Sequence, residues 1–190
     1  MSPTLSAILV KRVTTNTLLP VRRIQEMQHT LSTTFAATLL THLYPHSTIT
    51  LTLHVLSQDG SLLAACLNAS TLALIDAGIP MRDYVAACTV GSTATYSEND
   101  EGADPLLDLN DGEEKELPFL TLGTVGPESG EAEGNGGEER VVVAIMETRV
   151  QMARLEGMVS VGSDGCRQVR GVLDGIIRAH GRKVLEAKVS

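Results

Sequence analysis

No Cys-x-x-Cys pair occurs in the chain, and its 3 cysteines, Cys66, Cys88 and Cys166, are an odd number set far apart. Neither a disulfide framework nor a cysteine zinc site is expected; all three read as small buried hydrophobes in a reducing compartment. The 5 histidines offer no helical zinc pair either. His42 and His46 have the spacing, but Pro45 between them breaks a helix. No metal site and no cofactor are expected. Long apolar runs are also missing, since none approaches the ~18–20 residues of a membrane span. The N-terminal "SAILV" is too short for a secretory signal, and Lys11-Arg12 follow it instead of preceding it. Residues 1–23 hold no acid and many Ser, Thr and basic residues, a faint transit-peptide composition. The plainer expectation is an unstructured leader. Asn68-Ala69-Ser70 has the form of a glycosylation sequon but falls inside an expected buried helix, so it is discounted.

What the chain has in quantity is acid, placed unevenly. The formal charge is −8 over 190 residues. Residues 98–116 hold 9 Asp or Glu against one Lys, and residues 128–139 hold 5 Glu and no base. Setting these two segments aside leaves 14 basic against 9 acidic residues, about +5. The folded body is thus mildly basic, and whole-chain charge is a poor guide to partners. With 43% apolar residues the length suits one domain with a real core.

Periodicity orders the elements. Ile24, Met27, Leu31, Phe35, Leu39 and Leu43 recur three or four apart and predict an apolar helix face over 22–43, ended by Pro45. In "STITLTLHVL" Ile49, Leu51, Leu53 and Val55 alternate with Thr48, Thr50, Thr52 and His54, which predicts a strand. Ser61 to Ala77 is apolar and too long for a strand; it reads as a buried helix capped by Gly78, with Pro80 beyond. "YVAACTVGS" (84–92), "FLTLGTV" (119–125) and "RVVVAIME" (140–147) read as strands. Residues 93–116 read as an acidic loop, and the Gly/Glu-rich stretch between the last two strands as disordered. A long amphipathic helix follows from Leu155, with glycines 157, 162, 165, 171, 175 and 181 bending it or letting it pack closely. Helix, strand, helix, three strands, helix is the order of a two-layer α+β domain, with no second domain and no repeat.

One junction poses a question. The strand ending near Asp59-Gly60 leads straight into the helix at Ser61, and a helix N-terminus is an anion cradle. Yet this helix opens Ser61-Leu62-Leu63, with no base and one hydroxyl.

Residues 54–91, "HVLSQDGSLLAACLNASTLALIDAGIPMRDYVAACTVG", resemble the RNase PH fold family, most closely the RNase PH-type core subunits of the eukaryotic RNA exosome whose archaeal counterpart carries the phosphorolytic site. "LIDAGIP" is the specific block; "RRIQEMQ" upstream and "PLLDLN…EE" downstream fall in family order. The resemblance covers about 22–185. It implies an α+β, ribosomal protein S5 domain 2-like, two-layer fold. It divides the chain into a leader over 1–21 and a partial RNase PH-like domain over 22–187, with disordered acidic loops at about 93–104 and 127–139. Family members carry several strands before the Arg-Arg helix, which 1–21 do not resemble; a natural short form or a misjudged gene start is the expectation.

The resemblance also implies an answer to the question. Phosphorolytic members read Asp-Gly-Gly-Thr-Arg where this chain has Asp59, Gly60, Ser61, Leu62 and Leu63, so the phosphate-holding hydroxyl and guanidinium are leucines here. Each lost charge-assisted bond is worth ~1.5–3 kcal/mol. The family's acid falls on Phe119. Asp108, Asp111, Glu113, Glu114 and Glu116 form a carboxylate cluster that reads as a solvated acidic loop. Arg22 and Arg23 match a family pair that lines the ring pore and touches RNA phosphates; two cations at a helix start oppose its dipole, although a solvated pair stays open.

The implied function is a non-catalytic structural and RNA-guiding subunit of the exosome ring, in 3′-to-5′ RNA processing and decay including rRNA maturation and mRNA turnover. Implied partners are other RNase PH-type subunits, S1/KH cap subunits, a docked hydrolytic nuclease and RNA, in nucleus, nucleolus and cytoplasm and not at a membrane. The alternatives are an active phosphate-dependent 3′-to-5′ exoribonuclease and a truncated product without a ring role.

Overall fold

The described residues of this computed structural model are 7–15, 21–93, 104–126 and 139–189. Strand β1 (Ala7–Thr15) lies parallel to β2 (Thr48–Val55), and helix α1 (Val21–Thr38) is the crossover between them, as a parallel pair requires. Residues 7–15 therefore form a strand where an unstructured leader was expected. The β-branched residues of "AILVKRVTT" carried that signal, and its register with Thr48–Val55 is non-local.

α1 buries Met27, Leu31 and Phe35, the expected face, but stops at Thr38. Leu40 N–H donates to Pro80 O and Arg82 N–H to Thr38 O, so the chain leaves the helix to pair with the 80–82 segment. Leu43 consequently sits in a short 3-10 turn and is exposed, not core. Helix α2 (Leu62–Asp76) ends as expected at Gly78, whose φ of +67° lets Ile79 N–H reach Leu74 O.

The main sheet is antiparallel in the order β4-β3-β5-β6, from β3 (Val85–Ser92), β4 (Pro105–Leu107), β5 (Phe119–Val125) and β6 (Arg140–Met146). β4 and helix α3 (Asp111–Glu116) replace much of the expected acidic loop. Asn110 and Glu113 form a capping box that starts α3, an Asn-x-x-Glu signal present in the sequence. The disorder expected over 93–104 and 127–139 falls mainly on 94–103 and 127–138, outside the described residues. Glu139 is placed, and accepts from Thr124 Oγ1 at 2.7 Å and Ser163 Oγ at 2.8 Å.

Val85, Ala87 and Val143 pack with α1 and α2, whereas Cys88, Val90, Leu120 and Leu122 pack with Met158 and Cys166 of helix α4 (Met152–Val189). Alternate residues of β3 thus serve two cores, and every residue of β3 is buried. The α+β class holds, with α1 and α2 packed against residues of one face of this sheet and α4 against those of the other.

β4 pairs with β3 only over Val90–Ser92. Further along that edge Asn68 of α2 donates to Ala87 O and accepts from Ala87 N–H, both at 2.8 Å. Thr71 Oγ1 donates to Val85 O at 3.0 Å, and Asp108 N–H to Thr89 O at 2.8 Å. The edge is covered by the side chains of Asn68 and Thr71 and the backbone of Asp108, which satisfy its backbone groups. Asn68 is a structural residue at this seam, a role invisible in its local sequence.

Candidate functional site

The turn before α2 is as tight as its sequence suggested. Gly60 has φ +87°, and a Cβ there would stand 2.2 Å from Leu109 O. Only glycine lets the turn dock against residues 109–110, and this docking brings the N-terminus of α3 beside that of α2. Ser61, the N-cap, is held in the left-handed region at φ +49°.

One donor of the cradle is taken from within. Ser61 N–H donates to Glu114 Oε1 at 2.6 Å, and Ser61 Oγ donates to Leu109 O at 3.2 Å. Both polar groups of the N-cap are therefore engaged by α3 and the segment before it. Asp59 Oδ1 accepts a longer bond from Asp111 N–H at 3.4 Å. Burial raises the Glu114 carboxyl above its usual range, opposed by the Ser61 N–H and then by the positive charge of Arg23.

Around Glu114 lies a cleft of about 70 Å³. α1 contributes Arg23, Glu26, Met27 and Thr30, α2 contributes Leu62 and Leu63, and β5 contributes Phe119 and Thr121; Ile145 and Glu147 close it from β6 and the residues beyond. The positions singled out in the sequence, Arg23, Leu62, Leu63 and Phe119, thus meet in one place. Leu62 and Phe119 are buried, so the floor is apolar. Arg23 faces three carboxylates, Glu26, Glu114 and Glu147; even with Glu26 also paired to Arg22, acids outnumber bases, which disfavours a further anion in the cleft. Arg22 is not among its walls; its Nε pairs with Glu26 Oε1 at 3.0 Å in an exposed i,i+4 bridge. That bridge gives the charge at the helix start a partner within the helix.

The expected cluster of acids is dispersed. Asp111 pairs with Lys115, Glu113 caps α3, Glu114 caps α2, and Asp108 borders a different cavity against Cys88 and Gln168. Glu114 escaped the sequence reading as a functional group because its partner is 53 positions away.

Residues 5–80 match RNase PH, described as 3′ exoribonuclease family, domain 1. The chain is 35% identical over 162 residues to exosome complex component SKI6 of Saccharomyces cerevisiae, covering 85% of this chain and 58% of that protein. It is 36% identical over 163 residues to exosome complex component RRP41 of Homo sapiens, covering 85% and 59%. Over residues 5–80 the chain carries the first domain of the RNase PH family, and along most of its length it is similar to exosome components. It spans less than two thirds of the length of these relatives. Among solved structures, rice Rrp46 superposes with a TM-score of 0.75, 22% identity and coverage of 94% of this chain and 76% of that one, a likeness of fold. Within the RNase PH fold, the cleft described here joins the strand-turn-helix at Asp59–Leu63 to the start of the Arg-Arg helix.

Proposed function

We propose that this RNase PH-family chain acts as a non-catalytic, RNA-guiding component of an exosome ring, in 3′-to-5′ RNA processing and decay that includes rRNA maturation and mRNA turnover. The observation that carries this reading is the α2 N-terminus, where the Glu114 carboxylate occupies Ser61 N–H and Leu62 and Leu63 line the cleft beside it. Phosphorolysis needs an inorganic phosphate seated against the scissile phosphodiester. Here that phosphate would displace a bonded carboxylate, meet Glu26 and Glu147, and gain no guanidinium from positions 62 or 63. The partners in this reading are other RNase PH-type subunits, S1/KH cap subunits and a docked hydrolytic nuclease, in nucleus, nucleolus and cytoplasm. Similarity to SKI6 and RRP41 supports the ring assignment. The exposed apolar residues Val172, Ile176 and Leu185 on α4 are surface of the kind that a neighbouring ring subunit covers.

Arg22 and Arg23 are the residues assigned to RNA in this reading. The Arg22 side chain is 89% exposed, so its bridge to Glu26 yields readily to a phosphate. Replacing both arginines with Glu is expected to weaken RNA binding by the reconstituted complex and to flatten its salt dependence, with assembly intact. Affinities measured across a salt series check this. Equal affinity and equal slope for wild type and variant would remove the RNA-guiding role.

A further inference from the structure

We propose that Cys88 and Cys166 form an oxidisable dithiol site, which takes a small hydroperoxide and closes a disulfide between β3 and α4. The two Sγ atoms lie 3.5 Å apart, although the residues are 78 positions apart in the chain. The approach is built by glycine. A Cβ at Gly162 would stand 2.9 Å from Leu122 Cδ2, and one at Gly165 would stand 3.0 Å from Cys88 Sγ. Both helical positions need a bare backbone for α4 to come this close to β3, and Cys88 Sγ consequently donates to Gly162 O at 3.2 Å. A disulfide requires a sulfur separation of about 2.05 Å, a short closing movement from the observed contact.

Access comes from one side. A cavity of about 300 Å³ between α2 and α4, bordered by Ser61, Asn68, Asp108 and Gln168, has Cys88 on its wall, and Cys166 lies behind it, fully buried. The contact with Cys166, followed by burial, pushes the Cys88 thiol up, and the same contact holds Cys166 below the ordinary thiol range. Access divides the roles, not acidity: Cys88 borders the cavity and meets the peroxide first, although its thiol is the less acidic of the two. Cys88 sulfur attacks the peroxide oxygen and becomes a sulfenic acid, its proton leaving with the released alcohol or water. Cys166 sulfur then displaces the hydroxyl as water, so the two sulfurs supply the two electrons that reduce the O–O bond. With Cys88 protonated at neutral pH the first step is slow, which suits a site that responds to sustained peroxide.

The test exposes the full chain in native buffer to excess hydrogen peroxide, quenches the peroxide, then unfolds the chain in guanidinium chloride and alkylates it with N-ethylmaleimide. Cys66, in the other core cluster and with its thiol pushed up to about 11 by burial, is the internal control. The expected result is a single alkylated cysteine, Cys66, and a peptide pair joined through Cys88 and Cys166, lighter by two hydrogens than the two free peptides, that dithiothreitol separates. In Cys166→Ala, Cys88 is expected to stop at a sulfenic acid that dimedone traps. The wild-type peptide map decides the question even if that variant folds poorly. Three alkylatable thiols after complete oxidation of added glutathione would overturn the proposal. So would a bridge to Cys66, or oxygen gained on Cys88 without a bridge.

Discussion

Glu114 is half-buried with its carboxylate on the Ser61 amide, and its raised carboxyl pKa has a consequence for stability. The folded chain holds that proton to higher pH than the unfolded chain does. The group's contribution is therefore full below the unfolded glutamate value of about 4.3, and is lost as pH rises through the folded value. Glu114→Gln keeps an oxygen for Ser61 N–H and cannot ionise, so its stability relative to wild type should be greater at pH 7 than at pH 4. Urea unfolding of both proteins at the two pH values checks this, and an equal difference at both would contradict it. Glu114→Ala should cost about 1–2 kcal/mol, because the Ser61 amide loses its partner. Asn68 is a second single residue with a defined task. Asn68→Ala strands both backbone groups of Ala87 on the open edge of β3 and should cost about 2–3 kcal/mol by the same unfolding assay.

Among elements, α4 shows most clearly how local sequence and tertiary packing divide the work. Its glycines look alike in the sequence. Gly162 and Gly165 face neighbours inside contact distance, whereas nothing lies within 4 Å of a Cβ built on Gly157, Gly171, Gly175 or Gly181. Gly162→Ala should therefore destabilise, by about 1–3 kcal/mol through crowding of Val90 and Leu122. Gly171→Ala should stabilise by about 0.5–1 kcal/mol, since only the helix propensity changes. Thermal melts of the two variants should move in opposite directions. A further clasp fixes α4: Arg170 pairs with Asp83 at 3.0 Å, donates to Tyr84 O at 3.1 Å and lies 4.5 Å above the Tyr84 ring, while Tyr84 donates its hydroxyl to Asp174.

The strands β2, β3, β5 and β6 and the body of α2 were legible because each has a clean period or an uninterrupted apolar run. The end of α1 was not, since Leu39 and Leu43 continue its period and only the pairing with residues 80–82 stops it. β1 was passed over because a nine-residue strand among basic and hydroxyl residues has no local proof of a partner. At the site, the family resemblance singled out Leu62, Leu63, Phe119 and Arg23. The carboxylate that takes a donor of the cradle was hidden, as it depends on Gly60 docking against Leu109 and Asn110.

On the scale of the whole molecule, charge is segregated. Arg22 and Arg23 stand at one end of α1 on a mildly basic body, and the cleft beneath them repels anions through Glu26, Glu114 and Glu147. In the function proposed here, the chain contacts the phosphates of a passing RNA at its surface and refuses a free phosphate inside the cleft. The two properties separate in one assay, incubation of single-stranded RNA with the purified chain in phosphate buffer with Mg²⁺, reading released nucleoside diphosphates. The account predicts no release above a mock preparation. Phosphate-dependent release of nucleoside diphosphates, abolished when phosphate is omitted, would contradict it.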